Sequence, residues 1–505
     1  MITQARMWFP RSRATAVDST HVQSECRRIF CFPYFSVVQP IGNRFVETIS
    51  SGPGGGIASR LAQVCSAVHR GAARTRWQGC PEAAMSQEPD RQTPKALNVA
   101  FVHWAFPPTV GGVESYLWNC SRLLARSGYR VTVFTGTSEV RTPPEGGVEV
   151  LRHPGLDLSR APGSAAERAE LRTWFRSELA RREIRLVHGH NLHHFSAAPA
   201  EALLDLRADL DLVLLHTYHS IWRDPESVAL ARACGEFDAH FAVSGFLRDA
   251  CAEDLGVKGA ELMYLGIDAE SFLRVPELTD PAPDDEALVL LPARLIPDKG
   301  ALMAVRAMRR VLNEKLPVRP RLVLMDTPNS VDFHGEKVGF RDDVTRLAKD
   351  LNVADRVSFD RAGVDGMHDL YRRARVVVCP STFAEPMGLA ALEAMCSARP
   401  VVATDVGGLA EGVGRDGSTG FLVPPGDSDA LARHVTELLR SPGLARTVGN
   451  AARKRVVAEF DLESRCLPPL LSAYEKCSGL PFRWRQEATC RHPSGSPSTV
   501  MPSFG

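Results

Sequence analysis

The chain has 505 residues, 44% of them hydrophobic and 24% charged, which is room for two or three domains with full-sized cores. Lys plus Arg is 60 and Asp plus Glu is 59, a net charge of +1, which excludes the strongly basic footprint of a dedicated nucleic-acid binder. There is no apolar run of about 18 residues to span a membrane, and the 12 cysteines are scattered without a C-x-x-C pair, a pattern of reduced thiols in a cytoplasmic enzyme.

Residues 1–84 differ from everything after them, with 10 Arg, no Lys and only 4 acidic residues. Their glycine cluster, Gly52-Pro-Gly-Gly-Gly56, has no G-K-[ST] after it and no strand before it, so it fails as a phosphate loop. We expect residues 1–94 to be a disordered extension read from a start upstream of the working chain, with Met85 as the alternative start. The Pro/Ser-rich stretch 479–505 is expected to be a disordered tail.

Between these ends, strand and helix patterns alternate. Residues 95–274 carry an apolar run at 97–103, an amphipathic helix at 114–126, and strand patterns at 130–135, 185–188, 212–216, 239–243 and 262–265. The alternation pauses at 275–285, where three prolines and a run of acids read as a linker. It restarts over 286–460 with strand patterns at 287–292, 321–325, 356–359, 375–379 and 400–404, followed only by helices, at 427–440, 442–459 and 461–476. Strands this apolar are buried on both faces, as in parallel sheets wrapped by helices. The expected fold class is α/β, with two doubly wound Rossmann-like domains facing each other across a cleft, where ligands bind beyond the carboxyl ends of the strands.

Three segments carry chemistry. In Phe383-Ala-Glu385-Pro-Met387-Gly388-Leu389-Ala-Ala-Leu-Glu393, Pro386 reads as the first position of a helix, which would turn the amides near Met387, Gly388 and Leu389 toward the cleft. Glu385 and Glu393 on that helix would stand about 12 Å apart along its axis. That is the span from a ribose to a sugar held on its diphosphate, with the helix N-terminus facing the phosphates. In Pro292-Ala-Arg294-Leu-Ile-Pro-Asp-Lys299-Gly300, an Arg and one of only 8 lysines sit on a loop entering a helix, as a diphosphate clamp requires. In Pro107-Pro-Thr-Val-Gly111-Gly112-Val-Glu114, paired glycines between strand and helix allow close approach of backbone N–H to a phosphate.

Together these motifs resemble the GT-B glycosyltransferases, specifically the retaining family 4 group, over about residues 96–478. The resemblance matches the family's glutamate pair to Glu385 and Glu393, its R-x4-K clamp to Arg294 and Lys299, and its double glycine to Gly111 and Gly112. Asp405-Val-Gly-Gly-Leu-Ala-Glu411 and Gly420-Phe-Leu-Val-Pro-Pro-Gly426 also resemble segments usual in the group. It implies an acceptor-binding N-terminal domain, a nucleotide-sugar-binding C-terminal domain, and a last helix at 461–478 that crosses back onto the first domain. It assigns His219, in His216-Thr-Tyr-His219, to the transferring sugar as a catalytic residue beside Glu385, Arg294 and Lys299. His190 and Asn191, in His188-Gly-His190-Asn191-Leu-His193-His194, lie where the acceptor would pass; the dense histidines there are not read as a metal site.

The donor implied is a UDP- or GDP-sugar, with no tightly bound cofactor or metal. Nucleic acid is not expected as a partner, peripheral membrane contact stays open, and the oligomeric state is unspecified. One departure stands out: after 321–325 the group commonly has a glycine-rich G-x-G-P turn, and this chain has Asp326-Thr-Pro-Asn-Ser, so no contact is carried over there. The expected function is retaining transfer of a sugar from a nucleoside diphosphate to a hydroxyl, of a small molecule, natural product or glycoconjugate. The alternatives are a nucleotide-sugar epimerase or a phosphorylase on the same fold. A nicotinamide dehydrogenase is disfavoured because no G-x-G-x-x-G follows a strand.

Overall fold

The computed structural model describes residues 97–138, 147–157, 164–326, 339–361 and 366–480, all within one compact unit, Arg91–Gly505. The expected extension at 1–94, the tail from 481 onward and the turn at 327–338 lie outside the described residues. The first half contains β1 (Asn98–Val102), α1 (Gly112–Arg126), β2 (Arg130–Thr135), β3 (Val148–Arg152) and α2 (Ala165–Arg181). It continues with β4 (Leu186–His190), α3 (Ala198–Leu210), β5 (Val213–Tyr218), α4 (Pro225–Cys234), β6 (Ala239–Ala242), α5 (Gly245–Asp254), β7 (Glu261–Leu262) and α6 (Ala269–Leu273).

The second half begins with β8 (Glu286–Leu291), α7 (Ala301–Val311), β9 (Arg319–Met325), α8 (Phe340–Asp350), β10 (Val357–Asp360) and α9 (Met367–Arg373). There follow β11 (Ala374–Cys379), α10 (Leu389–Cys396), β12 (Val401–Thr404), α11 (Leu409–Val413), β13 (Phe421–Val423), α12 (Ser428–Arg440), α13 (Pro442–Glu459) and α14 (Leu467–Ser478).

Each half is one parallel sheet, with strand orders β3-β2-β1-β4-β5-β6-β7 and β10-β9-β8-β11-β12-β13. Central strands are apolar on both faces because helices cover both: Val99–Val102 and Val376–Val378 are buried throughout. The two strands absent from the sequence reading, β3 and β13, are part-exposed edges: β3 mixes apolar and charged residues, as edges do, and β13 is apolar but only three residues long. The order of each sheet reverses once, between β1 and β4 and between β8 and β11, and the crevice at such a reversal is where doubly wound sheets receive ligands.

Two expected elements are drawn differently. The single helix over 461–476 is a π-turn at Leu462–Cys466 followed by α14, because Pro468 and Pro469 lack the N–H groups a continuous helix would need. The linker at 275–285 is irregular but fastened to the second half: Arg453 and Arg399 donate to the carbonyls of Val275 and Pro276, and Arg375 to that of Thr279. Val275 and Leu278 are buried. Beyond α13 the chain returns to the first half, where Ile267 exchanges backbone hydrogen bonds with Phe460 and Leu462. The Tyr474 hydroxyl of α14 meets His188 Nδ1 at 2.6 Å. No helix among the described residues is long and apolar enough to cross a membrane.

Candidate active site

All the residues singled out by sequence except His190 line one cleft of about 630 Å³. Gly111, Gly112, Asn191 and His219 line it from the first half, and Arg294, Lys299, Glu385, Met387, Gly388, Leu389 and Glu393 from the second. They come from the loops, and the helix starts they lead into, at the carboxyl ends of β1, β4, β8 and β11, the strands flanking the two sheet reversals, and of β5 beside β4.

On the second-half wall, Arg294 leaves the end of β8 and Lys299 closes a short 3-10 turn before α7. Gly300 has φ 76°, and a Cβ there would stand 1.9 Å from the Pro380 carbonyl. Only glycine allows this approach, which brings the Lys299 loop onto the loop carrying Glu385. Thr382 N–H donates to the Asp298 carbonyl at 2.8 Å, sealing the two loops together. Lys299 Nζ donates to Glu385 Oε1 at 2.5 Å, Ser381 Oγ donates to the same oxygen at 2.6 Å, and the ammonium rests on the Phe383 ring. Both partners of the ion pair are largely buried, so it is a constrained pair rather than a surface one.

Here the structure corrects the helix drawn from sequence. Glu385 and Pro386 precede α10, whose N-cap is Gly388 at φ 81° and whose first residue is Leu389. A Cβ on Gly388 would meet Leu409 Cδ1 at 2.6 Å, and the left-handed backbone there starts the helix three residues later than proline preference suggests. The two glutamates therefore do not share a helix. Glu393 alone rides on α10, where Tyr371 donates to its Oε2 at 2.9 Å and burial pushes its carboxyl up to about 7.

Across the cleft, Gly111 is the extended N-cap of α1, and Gly112 faces the start of α10, a Cβ on it standing 3.7 Å from Leu389 Cδ1. Two residues missed by sequence anchor this turn. His103, just past β1, donates from Nδ1 to the His190 carbonyl at 2.7 Å, and its Nε2 lies 3.2 Å from Glu114 Oε1, both side chains being buried. Glu114 stood in the quoted glycine segment, but nothing in the sequence paired it with a histidine eleven residues earlier.

His219 is buried at the cleft wall; its N–H donates to Asn191 Oδ1 at 2.7 Å, and its Nε2 lies 2.9 Å from His190 Nδ1. His190 does not line the cleft: its ring packs edge-on against Phe101 and behind His219, so the acceptor position expected of it is not what the structure places there. Asn191 does line the cleft, with its amide committed to the His219 and Ser220 backbone and the Ser220 hydroxyl. The remaining imidazoles are also engaged: His193 and His194 on Ser220, His188 on Tyr474 and Thr217, and His216 on the Leu192 N–H. Among the described residues no three His, Cys, Asp or Glu side chains are grouped to hold a metal ion. Beside them Trp104, Phe195 and Trp222 form an aromatic wall, with ring centroids 5.2 and 5.3 Å apart and Trp222 at 3.9 Å from His194. No spacing in the sequence brings these rings together.

Known proteins resemble the chain in both halves. Residues 110–271 match the family described as Glycosyltransferase Family 4, and residues 279–455 match Glycosyl transferases group 1. A D-inositol 3-phosphate glycosyltransferase from Actinosynnema mirum is 30% identical over 402 residues, covering 72% of this chain and 92% of that protein. A GDP-mannose-dependent alpha-(1-6)-phosphatidylinositol monomannoside mannosyltransferase from Mycolicibacterium smegmatis is 29% identical, covering 71% and 94%. The solved structure of Anabaena HepE in complex with UDP and glucose superposes with a TM-score of 0.58 at 19% identity, over 76% of this chain and all of that one. Sucrose-phosphate synthase from Thermosynechococcus elongatus gives 0.61 at 24%, also over 76%. With two facing doubly wound sheets, a cleft between their carboxyl ends and these relatives, the chain belongs to the group 1, family 4 glycosyltransferases of the GT-B fold.

Proposed function

We propose that the chain is a retaining hexosyltransferase of the cytoplasm that moves a sugar from UDP or GDP to a hydroxyl of a small, ring-bearing acceptor, without a tightly bound cofactor. The observation that carries this reading is the convergence of Arg294, Lys299, Glu385, Glu393 and His219 on one cleft. The Lys299 ammonium has three donors, so it can keep Glu385 and still meet a phosphate oxygen. With Arg294 it neutralises the charge that grows on the leaving diphosphate, while the Gly112 amide approaches the same phosphates. Glu393 takes the ribose hydroxyls; Glu385 and the amides from Met387 to Leu389 take those of the sugar. His219 is held neutral by burial and by neighbouring imidazoles, so it orients the reacting face as a hydrogen-bonding partner without adding a positive charge.

In the transfer, the bond from the anomeric carbon to the phosphate oxygen breaks and a bond to the acceptor oxygen forms on the same face. The acceptor proton passes to the departing phosphate. Front-face substitution is favoured because Glu114, a carboxylate on the first-half wall, is held on His103 rather than free to attack.

The acceptor reading rests on the aromatic wall, where Trp222 and Phe195 are part-exposed and can stack on the apolar face of a ring. The two relatives named for inositol phosphate and phosphatidylinositol mannoside acceptors have ring polyols in the same role. The seven described cysteines are free thiols, which supports a reducing compartment.

The test is to incubate the full chain with UDP-, GDP-, ADP- and dTDP-sugars and measure release of nucleoside diphosphate beside Glu385→Gln. Release from one donor, lost in the variant, is expected and names that donor. Neither release nor donor binding across the panel would overturn the reading.

A further inference from the structure

Glu411 belongs to α11 in the second half, yet its carboxylate is committed to the first. Its Oε2 accepts the Gly245 N–H at 2.9 Å and its Oε1 accepts the Phe246 N–H at 2.7 Å, the first two amides of α5, and the Tyr264 hydroxyl donates to Oε2 at 3.3 Å. Leading amides of a helix have no partner within the helix, and they form its positive end. Ser244, the N-cap, serves the Leu247 N–H at 3.2 Å, so serine and glutamate divide the first turn between them. On its own side Glu411 is fixed as well, since Arg455 donates to its carbonyl at 2.9 Å.

The loop ahead of α11 carries this contact to the cleft. Gly408 N–H donates to the Glu385 carbonyl at 2.8 Å. A Cβ on Gly408 would stand 2.0 Å from the Pro386 carbonyl and 2.7 Å from Ser244 Cβ, so Glu385 and Pro386, Gly408, and the α5 cap are packed in one unbroken line. Leu409, Phe246 and Leu247 themselves line the cleft.

We infer that Glu411 is a positioning residue of the transfer reaction: by capping α5 across the two halves it sets the backbone of Glu385 and Pro386 against the half that carries His219. This rests on the reading of Glu385 as a sugar-binding group. An ordinary helix cap would serve stability alone. Glu411 differs because its two ends belong to different halves of the cleft, so the contact governs their relative placement.

The test uses the full chain with Glu411→Gln, in which one oxygen remains but the charge and the second acceptor are gone, and Glu411→Asp, one methylene shorter. Three quantities are measured: kcat and KM for the active donor, binding of free UDP or GDP by calorimetry, and the radius of gyration by small-angle scattering with that nucleotide saturating. In Glu411→Gln we expect nucleotide affinity within about twofold of wild type, because Arg294, Lys299 and Glu393 all lie in the second half and the first half offers the phosphates only the Gly112 amide. We expect kcat to fall about 10- to 100-fold, the size of effect that a slight misplacement of reacting groups produces, with a larger radius of gyration; Glu411→Asp should fall between. An unchanged kcat, or kcat and nucleotide affinity falling together with thermal stability, would overturn the inference. Should the wild-type chain turn over no donor, the reading of the cleft fails instead, and an unchanged radius in Glu411→Gln would then separately overturn the role of the Glu411 cap in placing the two halves.

Discussion

The two walls of the cleft are built from opposite chemistry. On the second-half wall the polar groups are charged and paired: Lys299 with Glu385, Arg294 beside them, and Glu393 under Tyr371. On the first-half wall they are buried imidazoles and aromatic rings, with the Glu114 carboxylate held on His103, and burial holds six of those imidazoles neutral. His188 is pushed down to about 3 and His193 to about 4, and His190, His194, His216 and His219 lie well below the usual histidine range, desolvation first and neighbouring imidazoles second. In the proposed reading, Arg294 and Lys299 meet the charge that develops on a diphosphate from one side, while His219 and the aromatic rings of the other side supply neutral hydrogen bonds and flat surface. A wall of neutral imidazoles does not compete for the phosphates; its cost is sensitivity to acid.

The largest expected effect breaks the charged wall. Lys299→Ala removes a clamp donor and leaves Glu385 buried without its cation, and kcat/KM should fall about 10²- to 10³-fold, as for other losses of a preorganised charge-stabilising donor. Steady-state kinetics with the active donor checks this, and unchanged turnover would refute the clamp.

Next comes acid, which should break the neutral wall. The folded pKa of these histidines lies below the unfolded value of about 6.5, so the unfolded chain takes up protons first. Stability is complete above pH 6.5 and is lost as pH falls through the window toward 3 to 4. At pH 5, His188 and His193 should each cost about 2 kcal/mol of folding free energy. Hydrogen exchange between pH 8 and pH 5 should show β4 and β5 losing protection before β8 and β11. Equal loss in both sheets would contradict the contrast.

The fold was legible because fully buried parallel strands leave continuous apolar runs: Arg130–Thr135 was read residue for residue, and all but two of the 13 described strands were located. β3 escaped because an edge strand need not be apolar, and β13 because three apolar residues are too short a run to mark a strand. On the charged wall, loops of fixed spacing bring Arg294, Lys299 and Glu385 to the cleft, and spacing is what a sequence preserves. Pro386 misled because the left-handed turn at Gly388, set by packing against Leu409, outweighs a local preference. On the neutral wall, His103 meets Glu114, and Trp104 and Phe195 meet Trp222, through sheet topology alone. The dense histidines at 188–194 are conspicuous in the sequence, but both His190 and His219 are buried, and only the packing of His190 between Phe101 and His219 decides which of them lines the cleft.

Two smaller effects sharpen the comparison. Trp222→Ala should raise the acceptor KM about tenfold, the worth of one aromatic contact, while leaving donor-only nucleotide release unchanged; a change in release without acceptor would place Trp222 on the donor side.

The smallest effect concerns the one carboxyl of the charged wall that titrates near neutrality. Burial raises Glu393 to about 7, and the Tyr371 hydrogen bond, which favours the ionised form, opposes that rise. If Glu393 holds the ribose as proposed, the carboxylate above pH 7 can accept from both ribose hydroxyls; below it a proton occupies one oxygen, so donor KM should rise about threefold from pH 8 to pH 6. Glu393→Gln should flatten the profile. Tyr371→Phe removes the bond that lowers the pKa and should move the midpoint to higher pH, whereas a midpoint unmoved in Tyr371→Phe would assign the titration to another group. The same pH step leaves kcat nearly untouched if Glu393 holds only the ribose, because His219 and the His190 behind it, both lowered well below the usual histidine range by burial, stay neutral throughout this range.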